Sequence, residues 1–391
     1  MTSPLSIAMV CYPTFGGSGV VARELAVGLV ERGHTVTLVA SDAPSRVLPV
    51  HERLRFHKVV VAHYPVFEHA PYTVAVASSL VELARAQPLD LVHVHYAVPH
   101  AASAFLAAQA LGAKAPAVVT TLHGTDVTGS GADPSYAAIT RFAVRASNAI
   151  TVPSGYLAQK ARAWLAGDGE EGSPDNIEVV PNFVDTDVFS PPAARDRRAL
   201  NALFERSEPD VPVLFHVSNF RAIKRVGDLF EALLRVRKRL RARLVVVGDG
   251  PERAGAEQKA RELGLSESVC FLGKQAQFIE LLKQADAFML TSEVESFGLA
   301  ALEAMSCGVP VLGYRVGGLP EVVSGDAGVL VPGFDVDALA NASVELLSDV
   351  ARRDHFARAA RARALASFKR DPALDRYETV FRRALRRSER G

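Results

Sequence analysis

Short apolar runs alternate with stretches whose apolar residues recur every third or fourth position, almost from end to end. The runs read as buried strands and the spaced stretches as amphipathic helices. In the first half the pattern predicts strands over 5–11, 35–40, 54–62, 89–95, 117–122 and 149–153. Helices are predicted between them over 20–32, 73–87, 99–111 and 134–146. Strand, helix, strand at this rhythm means a parallel sheet covered on both faces.

A polar, glycine-rich stretch over 164–177 reads as a surface loop, followed by one more short strand over 178–181. Residues 185–210, rich in Pro, Arg and Asp without periodicity, read as the interdomain connection. The alternation then restarts. Strands are predicted over 211–218, 242–247, 268–272, 287–291, 309–314 and 328–331, with helices over 225–240, 251–263, 275–284, 299–306 and 336–347. The fold class is therefore α/β, with two Rossmann-like doubly wound domains facing across a cleft. The expected domains are 1–185 and 186–371, with a C-terminal helix over 372–391 returning to the first. Ligands of such sheets bind beyond the carboxyl ends of the strands. In the tail, Leu374, Tyr377, Phe381, Ala384 and Leu385 share a helical face, with Arg382, Arg383, Arg386 and Arg387 mostly around it. A membrane-surface helix would look like this, but a closing helix packed on its own protein is the preferred reading.

Composition narrows the function. With 44 basic and 43 acidic residues among 391, the chain offers no bulk charge for nucleic acid, and at 49% hydrophobic it is not disordered. The balance is uneven: 351–391 carry a net +8, leaving about −7 for the rest. Three scattered cysteines, Cys11, Cys270 and Cys307, make neither a disulfide framework nor a CxxC metal site, which fits a reducing cytoplasm. The start has no basic n-region, so no signal peptide is read there, and no apolar stretch suits a membrane span.

Four motifs sit where strands end. Gly16-Gly17-Ser18-Gly19 precedes the first helix, where backbone amides can approach a phosphate. The same glycines, read with Ala22 and Asp42, resemble a dinucleotide fingerprint, although Tyr12–Phe15 lengthen the loop beyond it. Glu295 and Glu303 form an acid pair separated by seven residues around Ser296 and Gly298, where a helix is predicted to begin. Glu295 then lies ahead of the helix and Glu303 more than a turn inside it. A nucleotide diphosphate would suit the amides between them, with hydroxylated rings on either side. Arg221 and Lys224, after the first strand of the second half, suit an anionic leaving group. His123-Gly124-Thr125-Asp126 follows another strand, and His93 and His95 end a neighbouring one. A zinc site from His93, His95, His100 and His123 is disfavoured, since only His93 and His95 share a strand face. Asp185-Thr186-Asp187 is read as a chance DxD.

Taken in order these motifs resemble the retaining glycosyltransferases of the GT-B fold, family four. The Gly16–Gly19 loop, His123, Arg221 with Lys224, VVVGDGPE over 245–252 and SEVESFGLAALEAMSCGVPV over 292–311 carry the likeness. Within the family, CYPTFGGSG (11–19), HVHYAVPHA (93–101), TLHGTDVT (121–128), VPNFVD (180–185) and SNFRAIKR (218–225) resemble the branch that glycosylates malate at the start of bacillithiol biosynthesis. Many members have Gly-Arg where this chain has Ser218-Asn219, so Arg221 is left to supply the guanidinium.

The resemblance implies UDP-N-acetylglucosamine as donor, L-malate as acceptor, retention, and no cofactor or metal. It assigns the ribose to Glu303 and the sugar hydroxyls to Glu295. The sugar and diphosphate fall to amides of Phe297, Gly298 and Leu299 with Gly17, Ser218, Arg221 and Lys224. The uracil falls near Gly273, Lys274 and Gln275, and His123 lies near the anomeric carbon. His123, Arg221, Lys224 and Glu295 form the expected catalytic set. Ser18, Tyr96, Thr121 and Arg141 are the expected acceptor residues, with Arg145 competing for the carboxylate. Another small or lipid acceptor, a UDP-N-acetylglucosamine 2-epimerase and a dinucleotide oxidoreductase stay open, as does a homo-oligomer.

Overall fold

The computed structural model describes residues 3–13, 17–44, 47–62, 65–66, 68–129, 131, 133–167, 176–205, 208, 210–275 and 277–389. The chain divides into two units, Met1–Asn182 with Asp371–Gly391, and Phe183–Arg370.

The first unit holds strands β1 (Ser6–Val10), β2 (Thr35–Ala40), β3 (Leu54–Lys58), β4 (Leu91–His95), β5 (Ala117–Thr121), β6 (Ala149–Val152) and β7 (Ile177–Val179). Helices α1 (Ser18–Glu31), α2 (Tyr72–Ala86), α3 (Ala97–Leu111), α4 (Thr125–Thr128), α5 (Pro134–Arg145) and α6 (Gly155–Ala166) join them. All neighbours pair in parallel in the order β3-β2-β1-β4-β5-β6-β7. The order reverses between β1 and β4, where successive connections leave on opposite faces and their loops part. Tyr96, His123 and the α1 entry all follow strands at or beside this point. Burial explains the strand sequences: every residue of β4 and β5 is buried, so both read as continuous apolar runs broken only by His and Thr.

The second unit repeats the plan with β8 (Val213–Ser218), β9 (Arg243–Gly248), β10 (Val269–Gly273), β11 (Ala287–Leu290), β12 (Val311–Tyr314) and β13 (Gly328–Val331), in parallel order β10-β9-β8-β11-β12-β13. Its helices are α7 (Arg198–Asn201), α8 (Val226–Arg237), α9 (Arg253–Glu262), α10 (Ile279–Leu282), α11 (Leu299–Ser306), α12 (Leu319–Val322), α13 (Val336–Ser348) and α14 (Val350–Ser367). The reversal lies between β8 and β11. The basic loop follows the first of these strands and the acid-bearing loop the second.

Three expectations need correction. Residues 185–210 are not a connection: Phe189, Leu200 and Phe204 are buried in the second unit's core. Arg361 and Ser306 both donate hydrogen bonds to the Phe189 carbonyl. Isolated aromatic anchors need no helical or strand period, so the segment looked unstructured. The strand expected to reach residue 62 stops at Lys58, and the helix expected over 275–284 shrinks to α10. Most of the loop expected over 164–177 lies outside the described residues.

The last helix, α15 (Arg370–Ser388), packs on the first unit by burying Leu374, Tyr377, Phe381 and Ala384. Arg32 meets Asp375 at 2.6 Å, and His34 meets Glu378 at 3.1 Å. The arginines of its polar face are used on the same unit. Arg382 donates to the Ser3 carbonyl, Arg383 to Glu178 and Arg387 to the Asn148 carbonyl. Among the described residues no helix is long and apolar enough to cross a membrane.

Candidate active site

In the second unit the residues after β8 form a tight loop. Phe220 is buried with a φ of 40°, and Lys224 closes a short turn by donating its amide to the Arg221 carbonyl. The glycines of the 245–252 stretch pack directly on this loop, because a Cβ at Gly250 would lie 2.0 Å from the Asn219 carbonyl oxygen. Thr291, just past β11, donates to the carbonyls of Lys224 and Arg225 and binds the two loops together. Arg221 is exposed, whereas Lys224 turns inward.

Glu295 is reached from this loop. Lys224 Nζ donates to Glu295 Oε1 at 2.6 Å, and the Ser292 hydroxyl donates to the same oxygen at 2.7 Å. The other carboxylate oxygen is not used by either. Helix α11 begins four residues on, capped by Gly298 at φ 100°, a conformation that side chains rarely adopt. Gly298, as the N-cap residue, brings no side-chain hydrogen bond to the amides of this first turn. Phe297 is buried and anchors the turn, and Glu303 is 93% buried one turn inside α11. The two acids thus flank the helix start, as the spacing required. Ser218 is engaged differently: its hydroxyl donates to Nε2 of His216, whose Nδ1–H donates to the Met289 carbonyl. Burial lowers the His216 pKa to about 4, so the ring is neutral. Gly273 ends β10 in a buried position, while Lys274 and Gln275 are exposed.

In the first unit α1 starts at Ser18, capped by Gly17 without a side-chain hydrogen bond. Gly16 lies outside the described residues. After β4, Tyr96 adopts φ 79° and its hydroxyl meets Thr125 at 2.7 Å. His123 follows β5, and its Nε2 lies 3.1 Å from Nδ1 of His95. His93 Nε2 contacts the Thr121 hydroxyl at 2.7 Å, which in turn meets Thr151 at 2.6 Å. Tyr377 of α15 also brings its hydroxyl to Thr121 and Thr151. Burial lowers the pKa of His93 and of His123 to about 3, and pulls that of His95 well below its usual value.

Thr121 was expected to donate to the acceptor. It is 1% exposed, and its hydroxyl is taken up by these internal partners, so it supports the histidines from behind. Arg145 donates to the Leu165 carbonyl near the end of α6. Arg141, half-buried, lies beside Gly167: a Cβ there would be 3.8 Å from its Nε. Asp185 serves its own turn by accepting the amides of Asp187 and Val188.

Asp126 was missed as a functional residue. Fully buried, it accepts the amides of His123, Gly124 and Ala97, and so ties the loops after β4 and β5 together. Burial raises its pKa against the opposing effect of those amides. The signal was visible as the acid three residues after His123, beginning a helix. Among the described residues no group of three or more His, Cys, Asp or Glu is arranged to hold a metal ion.

Residues 202–363 match the family described as Glycosyl transferases group 1, and residues 15–188 match Glycosyltransferase Family 4. The chain is 40% identical over 388 residues to N-acetyl-alpha-D-glucosaminyl L-malate synthase of Bacillus anthracis, covering 99% of each. It is 31% identical to D-inositol 3-phosphate glycosyltransferase of Stackebrandtia nassauensis, over 95% of this chain and 88% of that one. In fold it is similar to sucrose-phosphate synthase from Thermosynechococcus elongatus, with a TM-score of 0.78 at 22% identity, over 97% of this chain and 98% of the other.

Proposed function

The chain belongs to the glycosyltransferases of family four with the GT-B fold, and on that premise we propose that it transfers N-acetylglucosamine from UDP-N-acetylglucosamine to the hydroxyl of L-malate with retention. This is the entry reaction of bacillithiol biosynthesis. The observation that carries the reading is the Lys224–Glu295 contact directly ahead of the start of α11.

The second unit holds the donor. Lys224 has three N–H donors and spends one on Glu295, so the others serve the diphosphate together with the guanidinium of Arg221. The amides of Phe297, Gly298 and Leu299 add the dipole of α11. Glu295, oriented by Lys224 and Ser292, accepts from sugar hydroxyls, and Glu303 accepts from the ribose. Gly273, Lys274 and Gln275 border the uracil.

The first unit holds malate. Arg145 is spent on α6, which favours Arg141 for the carboxylate, with Ser18 and Tyr96 as neutral donors. The bond from the anomeric carbon to the β-phosphate oxygen breaks as the bond to the malate oxygen forms on the same face. The departing phosphate oxygen takes the hydroxyl proton, and UDP leaves. The protein lowers the barrier by positioning both substrates and by stabilising the charge on the leaving diphosphate. His123, neutral at physiological pH, meets the sugar as a hydrogen-bonding group.

Proton NMR of the product from UDP-N-acetylglucosamine and L-malate tests the stereochemistry. An α-anomeric coupling is expected; a β-linked product would overturn the proposal.

A further inference from the structure

We propose that His95 is a positioning residue that donates its Nδ1–H to Nε2 of His123 and thereby holds His123 as the Nδ1–H tautomer. The inference rests on His123 being the group that meets the sugar, and it extends that reading to the residue behind it.

The geometry gives His95 little choice. It closes β4, is wholly buried, and its Nδ1 lies 3.1 Å from His123 Nε2 with the ring planes 30° apart. His93 backs it, with ring centroids 4.3 Å apart, and the Nδ1–H of His100 donates to the His95 carbonyl at 2.8 Å. Backbone and ring plane are therefore both fixed. Two neutral histidines sharing one hydrogen bond have two ways to place the proton. If His123 donated, His95 would carry its own N–H on Nε2. That atom is buried and has no hydrogen-bond partner among the described residues. An orphaned buried N–H is rarer and more costly than an orphaned lone pair. His95 as donor leaves only the lone pair there. His123 then keeps its single N–H on Nδ1, where it is a donor and not a base.

The tautomer of a functional histidine is set by the bond its other nitrogen makes. Loss of an orienting partner costs about 10- to 100-fold in activity at metal-bound histidines, and a loss of that order is expected here. Nitrogen-15 NMR of histidine-labelled protein, with His123 assigned through His123→Gln, reads the tautomer without turnover. A protonated Nδ1 and bare Nε2 are expected on His123; the reverse overturns the proposal. His95→Leu and His95→Gln are expected to lower kcat about 10- to 100-fold, with both KM values within about threefold. In His95→Asn the side-chain amide sits near the place of Nδ1, so it should recover most of kcat, which a purely space-filling role would not give. An unchanged kcat in a folded His95→Leu protein, or an Asn variant as poor as the Leu variant, overturns the proposal. If His95→Leu does not fold, the wild-type spectrum decides. A wild-type protein that makes no glycosyl malate would refute the functional reading while leaving the tautomer to the spectrum.

Discussion

Lys224 and Glu295 meet at 2.6 Å although they are 71 residues apart, because their loops leave β8 and β11, which are neighbours where the sheet order reverses. In the proposed function the ammonium both orients the acid that accepts from the sugar and retains donors for the diphosphate. Lys224→Met should lower kcat about 100-fold or more, since it removes charge aimed at the leaving group. Glu295→Gln keeps the shape and an acceptor, and should lower kcat less. Both pair members are mostly buried, so each change should also cost about 1–3 kcal/mol in urea unfolding. Steady-state kinetics alongside denaturation separates the two effects.

Glu303 projects from the second turn of α11 and is 93% buried. Glu303→Ala should weaken UDP binding about 10- to 100-fold by calorimetry, the loss of one or two charge-assisted hydrogen bonds. The KM for malate should not move.

Arg141 and Arg145 lie one turn apart on α5 and should part company when replaced. Arg141→Ala is expected to raise the KM for malate about tenfold or more while sparing UDP affinity. Arg145→Ala, which loses the bond to the Leu165 carbonyl, should lower the melting temperature and leave the malate KM in place.

Stability should fall in mild acid. Burial holds the folded pKa of His93 and His123 near 3 and of His100 and His216 near 4, against an ordinary 6.5. Below 6.5 the unfolded chain therefore binds protons that the folded chain refuses, and each such histidine costs about 1.4 kcal/mol per pH unit. Asp126, with its pKa raised, works in the opposite direction. Urea midpoints should be flat from pH 8 to 7 and drop steeply from 6 towards 4. The first unit, which holds His93, His95, His100 and His123, should yield first. A flat profile over that range would contradict the buried neutral cluster.

Much of this was legible in the sequence because parallel strands buried on both faces are continuous apolar runs, and β4, β5 and β11 could be placed from them alone. The entry to α11 was legible too, since Gly298 after an acid marks a helix start. The packing of Phe189, Leu200 and Phe204 was not, because single anchors in aperiodic sequence carry no pattern. Neither was α14, whose mixed Ala and Arg sequence buries only Ala360 and Ala364. Thr121 looked like a ligand donor from its place at a strand end; only the neighbouring strands reveal that its hydroxyl is already used. Pairing of His95 with His123 depends on the register of β4 against β5, where His95 faces Thr121, which no local spacing encodes.

The most direct test supplies UDP-N-acetylglucosamine to the purified protein with L-malate, other hydroxy acids, D-inositol 3-phosphate or sugar phosphates in turn, and follows UDP release and product mass. UDP release that depends on L-malate, with a product of the mass of N-acetylglucosaminyl malate, is the predicted result. Product formed from inositol phosphate instead, or an isomerised UDP-sugar without any acceptor, would contradict it.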